Sequence, residues 1–379
     1  MRRDTETALV KELLGLKAEK SAFLEDGVPP SPVRIYTDQA HFDAERVDLM
    51  RKLPLPAAHS SELDQANGFL TRQLAGLPLL LTRDAHGHAH AFLNVCRHRG
   101  TRLVDDAAGC RARFTCPYHA WTWNNEGELK SVPHEGLGFP DLDRDQFQLV
   151  RLGCLERYGW LWVTSDGETP DVDAFLGDLV ADFEGLDAAN HRVVHTDVEE
   201  RDLNWKILIE GGLEAYHFRV AHRKTIGPFF EDNLSSYRTI GPHLRSILAR
   251  RTMPDLAETP ENTWRLRDHA QVLYTIMPTT QLLVQSDHIA CLQLEPLGPG
   301  RTRIRSSTLA PADRLESDDD IEHWVKNHTI LMDTIREDFT IGESIQSGLN
   351  SGANQQLTFG RFEGALAAFN RLVAEQMAG

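Results

Sequence analysis

Two short segments of this chain each contain one cysteine and one histidine. They are Cys96-x-His98 and, after seventeen intervening residues, Cys116-x-x-His119. Two thiolates and two imidazoles form a ligand set of the kind that binds transition metals. A chain that uses all four must fold so that two short loops deliver them to one place. This requirement constrains the first half of the sequence more than any other feature.

The mixed composition of each loop favours a Rieske [2Fe–2S] centre. In such a centre two cysteines bind one iron and two histidines bind the other. Structural zinc is the alternative, since zinc also accepts cysteine and histidine. Classical zinc fingers, however, place two cysteines in one loop and two histidines in the other. The loops therefore predict electron transfer, with a structural zinc protein as the alternative.

The overall charge excludes some classes of partner. The 379 residues include 40 Lys and Arg against 56 Asp and Glu, a formal net charge of −16. This negative charge disfavours binding to nucleic acid or to an anionic membrane surface. No apolar run reaches the length of a transmembrane helix. We therefore expect neither nucleic acid nor membrane as a partner.

The cysteine content predicts the cellular compartment. The chain has five cysteines, which are Cys96, Cys110, Cys116, Cys154 and Cys291. An odd and sparse set makes no disulfide framework in so long a chain. The N-terminal residues lack the apolar core of a signal peptide. A reducing cytoplasm is therefore expected.

The pattern of apolar residues predicts an N-terminal segment and two domains. Residues 1–44 include a short amphipathic helix, which we expect to pack against the larger domain formed by residues 165–379. Residues 45–164 contain short apolar runs broken by turns, which predicts a small antiparallel β domain carrying the two loops. After a link rich in Gly, Pro and acids, residues 165–379 mix strand and long-helix patterns and predict an α+β domain.

A second group of candidate ligands lies in the segment NWKILIEGGLEAYHFRVAH. His217 and His222 are five residues apart, and Glu214 precedes the first of them by one turn. On an ideal helix, side chains five apart diverge by about 140°. A shared ion would then require a π-bulge, which the preceding Gly211-Gly212 pair favours. The alternative is that both histidines are hydrogen-bonded or partly exposed residues that bind no metal.

A carboxylate would complete this second site. A 2-His-1-carboxylate iron is a natural acceptor for electrons from the first site. Asp338 is the predicted ligand, because the apolar stripe of its helix turns it toward the core and turns Asp333 and Glu337 away. A buried aspartate is costly unless it is paired or bound to metal. Asp338 could instead pair with Arg336 or a backbone amide, and Glu343 is the reserve ligand.

Together these motifs resemble the oxygenase (α) component of Rieske non-haem iron oxygenases. That family includes aromatic ring hydroxylases, O- and N-demethylases and quaternary-ammonium monooxygenases. The resemblance spans nearly the whole chain, through the segments NVCRHRGTRL, CPYHAWTW, NWK, EAYHFRVAH and REDFTIGESIQSGL. Two positions depart from the family pattern, since Ala120 stands where glycine is common and Gly211 where many members have asparagine.

The resemblance implies ligands and assembly. It assigns the cluster to Cys96, His98, Cys116 and His119, and mononuclear Fe(II) to His217, His222 and Asp338. Glu214 stands where the family has an acid, usually aspartate, that links a cluster histidine of one subunit to an iron histidine of the next. A homotrimer is therefore implied, as is a catalytic domain with the helix-grip α+β fold beside the antiparallel β Rieske domain.

The resemblance also implies a reaction. Such a chain uses O₂ and electrons from NAD(P)H to hydroxylate or oxidatively demethylate a small aromatic or N-methylated molecule. No G-x-G-x-x-G motif opening a βαβ unit is present, so a separate reductase or ferredoxin must deliver the electrons. The alternative is a Rieske electron carrier with a non-catalytic binding domain. The candidate pocket residues are Phe229, Phe230, Tyr237 and Trp264. The alternative for each of them is a place in the hydrophobic core.

Overall fold

The computed structural model describes residues 1–378. Contacts within the chain divide it into two compact units, one formed by Met50–Phe175 and the other by Met1–Leu49 with the chain from Leu176 onward. The first unit is mainly antiparallel sheet, and the second combines a large antiparallel sheet with helices. The predicted fold class is therefore confirmed. Among the described residues, no helix has both the length and the apolar character needed to cross a membrane.

The unit Met50–Phe175 contains two antiparallel sheets. The order of strands in the seven-stranded sheet is Leu55–His59, Trp160–Thr164, Arg151–Arg157, Ala89–Leu93, Leu77–Arg83, Gly68–Leu74 and Ala108–Cys110. A three-stranded sheet follows the order Arg113–Thr115, Thr122–Asn124 and Leu129–Ser131. Short helices span Glu135–Gly138 and, at the boundary with the other unit, Val172–Leu176. The aromatic residues Phe92, Trp121 and Trp123 are buried in its core.

Glycines with positive φ form tight turns in this unit. Gly87 and Gly127 adopt φ of 89° and 84°, a region that glycine enters without a steric penalty. At Gly127 a Cβ atom would lie only 2.4 Å from the ring of Phe92. Glycine is required there by both the backbone conformation and the packing.

The second unit is built on a seven-stranded antiparallel sheet. The order of its strands is His191–Arg201, Arg301–Pro311, Ile289–Gly298, Thr280–Val284, Ala270–Ile276, His243–Arg250 and Phe230–Ile240. A two-stranded ribbon pairs Ser31–Pro32 with Gln356–Leu357. The α-helices of this unit are Arg3–Ala18, Arg34–Thr37, Gln39–Ala44, Val180–Leu186, Trp205–Leu213, Leu266–His269, Asp318–Asn350 and Gly364–Ala378.

The helix Asp318–Asn350, called the long helix below, packs on the sheet. It begins with a capping box in which Ser317 and Asp320 bond each other's backbone amides. Its buried face includes Trp324, Met332 and Phe339, and it contacts the strands His191–Arg201 and Arg301–Pro311 and the helix Trp205–Leu213. This packing brings the long helix beside the segment that follows Leu213.

The motif Asn204-Trp205-Lys206 anchors the helix Trp205–Leu213. The side chain of Asn204 accepts a hydrogen bond from the Lys206 amide at 2.9 Å and so caps the helix. Lys206 and Glu45, both completely buried, form an ion pair of 2.5 Å, and Trp205 donates to the same carboxylate at 3.0 Å. Because a buried charge is stable only when paired, this network fixes the helix against the N-terminal segment.

The N-terminal helix also packs within this unit. Leu9, Val10 and Leu13 form its buried face. On its polar side, Glu12 accepts hydrogen bonds from Ser236 at 2.6 Å and from Arg238 at 2.5 Å. The helix therefore covers the edge strand Phe230–Ile240, as its amphipathic sequence suggests.

Candidate metal centres

The two loops that carry cysteine and histidine have the same backbone form. In the first, the Gly100 amide donates to the Cys96 carbonyl at 2.9 Å, and in the second the Ala120 amide donates to the Cys116 carbonyl at 3.0 Å. The closing residues, Gly100 and Ala120, have φ of 77° and 59°. A left-handed conformation at alanine is unfavourable by about 1 kcal/mol or more. Ala120 is thus a real departure from the preference for glycine at this position.

The four predicted cluster ligands lie together. Cys96 and Cys116 are each 3% exposed and unpaired, and the imidazole rings of His98 and His119 are 4.7 Å apart between centroids. The Nδ1 atoms of both histidines are buried and have no hydrogen-bond partner. A buried polar atom without a partner is costly. Two buried thiols and two unpartnered imidazole nitrogens therefore fit a [2Fe–2S] group held by two cysteines and two histidines.

Aromatic side chains surround this first site. Trp121 is buried and stacks on His98 with an interplanar angle of 3° and a centroid distance of 4.8 Å. Phe139 meets the edge of the same imidazole at 5.7 Å. Burial raises the pKa of the Cys96 thiol and lowers the pKa of His98. Burial at this site therefore disfavours the charged forms of both Cys96 and His98.

His217 and His222 lie on a turn segment, and the predicted π-bulge is wrong. The helix ends at Leu213, and residues 214–226 form successive turns in which the His222 amide donates to the Phe218 carbonyl at 3.2 Å. Glu214, at the end of the helix, is already in an extended conformation. A non-helical backbone removes the angular restriction of an ideal helix, so both imidazoles can turn to the same side.

His217, His222 and Asp338 converge on one point. One ligand atom from each lies within 4.8 Å of the other two. The Nε2 atoms of the histidines are 3.1 Å apart, and Asp338 Oδ1 is 3.0 Å from Nε2 of His222 and 3.6 Å from Nε2 of His217. Two imidazoles and one carboxylate in this arrangement match the ligand set of a non-haem Fe(II) site.

A glutamate orients each of these imidazoles. The Nδ1 of His217 donates to Glu214, whose other oxygen accepts from the amides of Tyr216 and His217. The Nδ1 of His222 contacts Glu337 at 2.7 Å. Such acidic partners fix the ring orientation and increase the basicity of a metal-binding imidazole. Both Nε2 atoms are thereby left free to face Asp338.

Glu337 contacts His222 even though the helical projection places it opposite the buried stripe of the long helix. The turn formed by residues 214–226 packs against that side of the helix, so a position facing away from the sheet is not a solvent-facing one. Besides His222, Thr225 donates to Glu337 at 2.6 Å. Partial burial opposes ionisation of Glu337, but these hydrogen bonds lower its pKa. The one sequence signal for a role of Glu337 is that it directly precedes the predicted ligand Asp338.

Asp338 is not buried as expected, since its side chain is 30% exposed. The alternative partner Arg336 contacts Asp197 and Glu199 instead. The reserve ligand Glu343 accepts from the Asp202 amide at 3.3 Å, away from the histidines. Burial disfavours protonation of His222, but the carboxylates of Asp338 and Glu337 outweigh it and raise its pKa. The local field therefore favours a positive charge at this point.

A second group, formed by His195, Asp197 and His328, also places ligand atoms within 4.8 Å of one another. Its carboxylate already pairs with Arg336, whose Nη2 lies 3.2 Å from Asp197. At the first group, no Lys or Arg in the described part of the chain lies within 4.0 Å of Asp338. A nearby guanidinium disfavours a bound cation, so His217, His222 and Asp338 form the better metal site.

These three residues line a cavity of about 540 Å³. Phe229 and Phe230 also line it, whereas Tyr237 and Trp264 do not. Tyr237 donates to Glu25 at 2.5 Å, and Trp264 donates to the Leu256 carbonyl at 2.8 Å. A Cβ atom at Gly211 would meet no atom within 4 Å. The absence of an asparagine there leaves additional space in the cavity.

Comparison with known protein families assigns both units. Residues 188–379 match the family described as "Ring hydroxylating alpha subunit (catalytic domain)", and residues 54–140 match the Rieske [2Fe-2S] domain. The first match alone covers half of the chain. The chain belongs to this family of Rieske oxygenase alpha subunits. The resemblance read from the motifs is confirmed, and the structural zinc alternative is wrong.

Individual relatives of this chain are named for different substrates. The chain is 34% identical over 201 residues to the glycine betaine monooxygenase oxygenase subunit of Pseudomonas aeruginosa, a match of 53% of this chain and 46% of that protein. It is 26% identical to the anthranilate 1,2-dioxygenase large subunit of Acinetobacter baylyi, over 76% of this chain and 63% of that protein. The match thus spans about half the length of the first relative and somewhat less than two thirds of the second.

A solved quaternary ammonium Rieske monooxygenase has the same fold. The superposition gives a TM-score of 0.78 and 24% identity, and it covers 92% of this chain and 96% of that chain. At this level of identity the likeness supports the architecture of the chain.

Proposed function

We propose that this protein is a terminal oxygenase. It uses O₂ and electrons supplied by another protein to hydroxylate or oxidatively demethylate a small organic substrate. The observation that carries this proposal is the convergence of His217, His222 and Asp338 within 4.8 Å at the wall of a cavity. A Rieske electron carrier with a non-catalytic binding domain would have no need of a second metal site in its pocket.

We further propose that Cys96, His98, Cys116 and His119 hold the [2Fe–2S] cluster and that His217, His222 and Asp338 hold mononuclear Fe(II). When bound, the iron supplies the site of O₂ activation and the cluster supplies electrons to it. The three protein ligands come from one side, which leaves the cavity side open to substrate and O₂. Glu214 and Glu337 hold the two imidazoles in the orientation that binding requires.

The substrate class that we propose is a small aromatic or N-methylated compound. The cavity of about 540 Å³ is of a size suited to such molecules. Phe218 and Phe230 are both buried, meet edge to face at 5.2 Å and line this cavity beside His217. Aromatic rings pack against an aromatic substrate and also attract a methylated ammonium. This wall supports aromatic catabolism and the oxidation of N-methyl compounds alike.

The proposed electron donor is a separate reductase or ferredoxin. Arg97, Arg99 and Arg102 are exposed on or next to the first cluster loop. A local positive surface on a chain of net charge −16 would attract an acidic donor protein. We also propose the homotrimer that the family resemblance implies, with Glu214 as the link between subunits. A cytoplasmic location is proposed as well, and five unpaired cysteines support it.

Product analysis tests the proposed function. The purified protein, loaded with both iron groups, is combined with NADH, a surrogate reductase and a panel of aromatic and N-methylated compounds. We expect one class of compound to give an oxygenated or demethylated product in proportion to the O₂ consumed. Reduction of the cluster without product from any compound, and with two irons per chain instead of three, would support the electron-carrier alternative.

Replacement of Glu337 by glutamine tests the positioning of His222. The variant loses the charged acceptor that lies 2.7 Å from Nδ1 of His222. Loss of such a partner weakens metal binding by about 10- to 100-fold, so the concentration of Fe(II) needed for half-occupancy is expected to rise by about tenfold. Titration with Fe(II) measures the change. Asp333→Asn, on the same helix, is the control and should bind iron as the wild type does.

A further inference from the structure

Arg250 brings a positive charge into the wall of the cavity. It ends the strand His243–Arg250, and its backbone pairs with that of Phe230. Both residues line the cavity that holds the candidate iron site. The guanidinium lies over the Phe230 ring at 5.5 Å from its centroid. A partly buried cation is thus held against an apolar surface of the pocket.

This guanidinium lacks an anionic partner. Its Nη2 donates to Gln285 Oε1 at 2.7 Å, and its Nε is buried without a hydrogen-bond partner. Within the described residues, no carboxylate forms an ion pair with Arg250. Gln285 is neutral, and its own amide donates to Gln271 at 3.2 Å. Because charged groups in protein interiors are normally paired, the site is incomplete without an anion.

Four acidic residues lie near this charge or line the same cavity. Asp287 lines the cavity, but its carboxylate contacts His288 at 2.8 Å. Asp333 and Asp338 also line the cavity, but Asp333 is exposed and Asp338 faces His217 and His222. Asp268 contacts Arg265 at 3.4 Å. Burial lowers the pKa of Arg250 in spite of the charges of Asp287 and Asp268. The neighbouring carboxylates therefore do not neutralise the guanidinium.

A row of aromatic side chains connects Arg250 to the candidate iron ligands. After Phe230 comes Phe218 at 5.2 Å, whose ring lies 5.4 Å from that of His222. Two rings therefore separate the guanidinium from the imidazole. A small molecule that binds the arginine at one group can place an apolar or methylated part along these rings toward the metal site.

We propose that Arg250 binds a carboxylate group of the substrate. The inference rests on the proposed function and deepens it, since it narrows the substrate class to carboxylates with an aromatic or N-methylated portion. The Nη1 and Nη2 hydrogens not used by Gln285 supply the donors, and arginine binds a carboxylate through two such hydrogen bonds. Arg250 is a specificity residue, because it binds the carboxylate at a position remote from the atoms that react.

Calorimetric binding to the fully loaded enzyme tests this inference. The probes are glycine betaine, carnitine, benzoate and anthranilate, each paired with the neutral analogue in which CH₂OH replaces the carboxylate. We expect wild type to bind at least one carboxylate about 10- to 100-fold more tightly than its alcohol, the range for hydrogen bonds to a charged group. Arg250→Gln should bind both members of that pair equally, and Arg250→Lys should keep part of the preference.

Arg267→Gln is the matched control. Arg267 is a half-buried arginine near the cavity that donates to the Gln285 carbonyl at 2.7 Å but does not line the cavity. Its variant should keep the preference for the carboxylate. The inference is overturned if no carboxylate of the panel binds wild type below about 1 mM, or if Arg250→Gln retains the full preference.

The inference and the proposed function fail in different ways. If a neutral compound is turned over and carboxylates do not bind, the result supports the oxygenase function and contradicts the role of Arg250. If a carboxylate binds through Arg250 but no compound gives product, the result supports the binding site and contradicts the oxygenase function. The visible absorbance of the cluster confirms in each variant that the protein has remained folded.

Discussion

Replacing His217 by alanine is expected to remove the mononuclear iron and leave the cluster in place. His217 supplies one of the three converging ligand atoms at the cavity, whereas the cysteines and histidines of the cluster loops belong to a different unit. Two ligands remain, which is too few for a stable facial site. Iron content should fall from about three to about two atoms per chain, and product formation should fall below detection.

The measurement combines iron analysis with the visible spectrum. His195→Ala is the control, because His195 belongs to the second group of two histidines and one aspartate. It should retain all the iron and full activity, since Arg336 already pairs with Asp197 in that group. The two-site interpretation would be wrong if His217→Ala lost the cluster spectrum. It would be equally wrong if the iron were lost from the His195 variant instead.

The second large effect is expected from Glu214→Ala. The carboxylate accepts from Nδ1 of His217 and from the amides of Tyr216 and His217, so it holds both the ring and the turn that carries the ring. Iron binding should weaken by about 10- to 100-fold, yet excess Fe(II) should still load the site. Coupled turnover should be nearly abolished even at full loading, because the imidazole is then free to rotate and the proposed link between subunits is lost.

The ratio of product formed to O₂ consumed measures this coupling. Glu214→Gln keeps an acceptor oxygen without the charge and should lie between wild type and Glu214→Ala. Glu343→Ala is the control, since Glu343 contacts the Asp202 amide and Arg201 and not the histidines. Normal coupling in an iron-loaded Glu214→Ala variant would show that Glu214 neither positions His217 for turnover nor links the subunits. A loss of iron in the Glu343→Ala variant would indicate that Glu343 is an iron ligand.

Prediction from sequence worked best where the signal was local. The two cluster loops each place their cysteine and histidine within four residues, so the spacing alone indicated a common site. Strands such as Leu77–Arg83 and the long helix were also predicted, because their apolar patterns have the period of the element. The family resemblance rested on these same local motifs.

Prediction was weaker where residues meet through the fold. The turn after Leu213 has no periodic pattern, so the sequence suggested a π-bulge where the helix in fact ends. Glu337 projects opposite the buried stripe of its helix and was therefore expected on the solvent side, whereas the turn that carries His222 and Thr225 packs there. Arg250 gave no signal at all, since only the pairing of its strand with Phe230 brings it to the cavity.

The sequence by itself determined the ligand types, the presence of two domains and the family to which the chain belongs. Those properties depend on residue identity and short spacing, which local physical chemistry decides. Only the tertiary structure decided that Glu337 contacts His222 and that Arg250 lies in the wall of the pocket. Residues 115 positions apart, such as His222 and Glu337, meet only because the long helix packs beside the turn. Side-chain directions at such a contact follow from packing, and no local pattern encodes them.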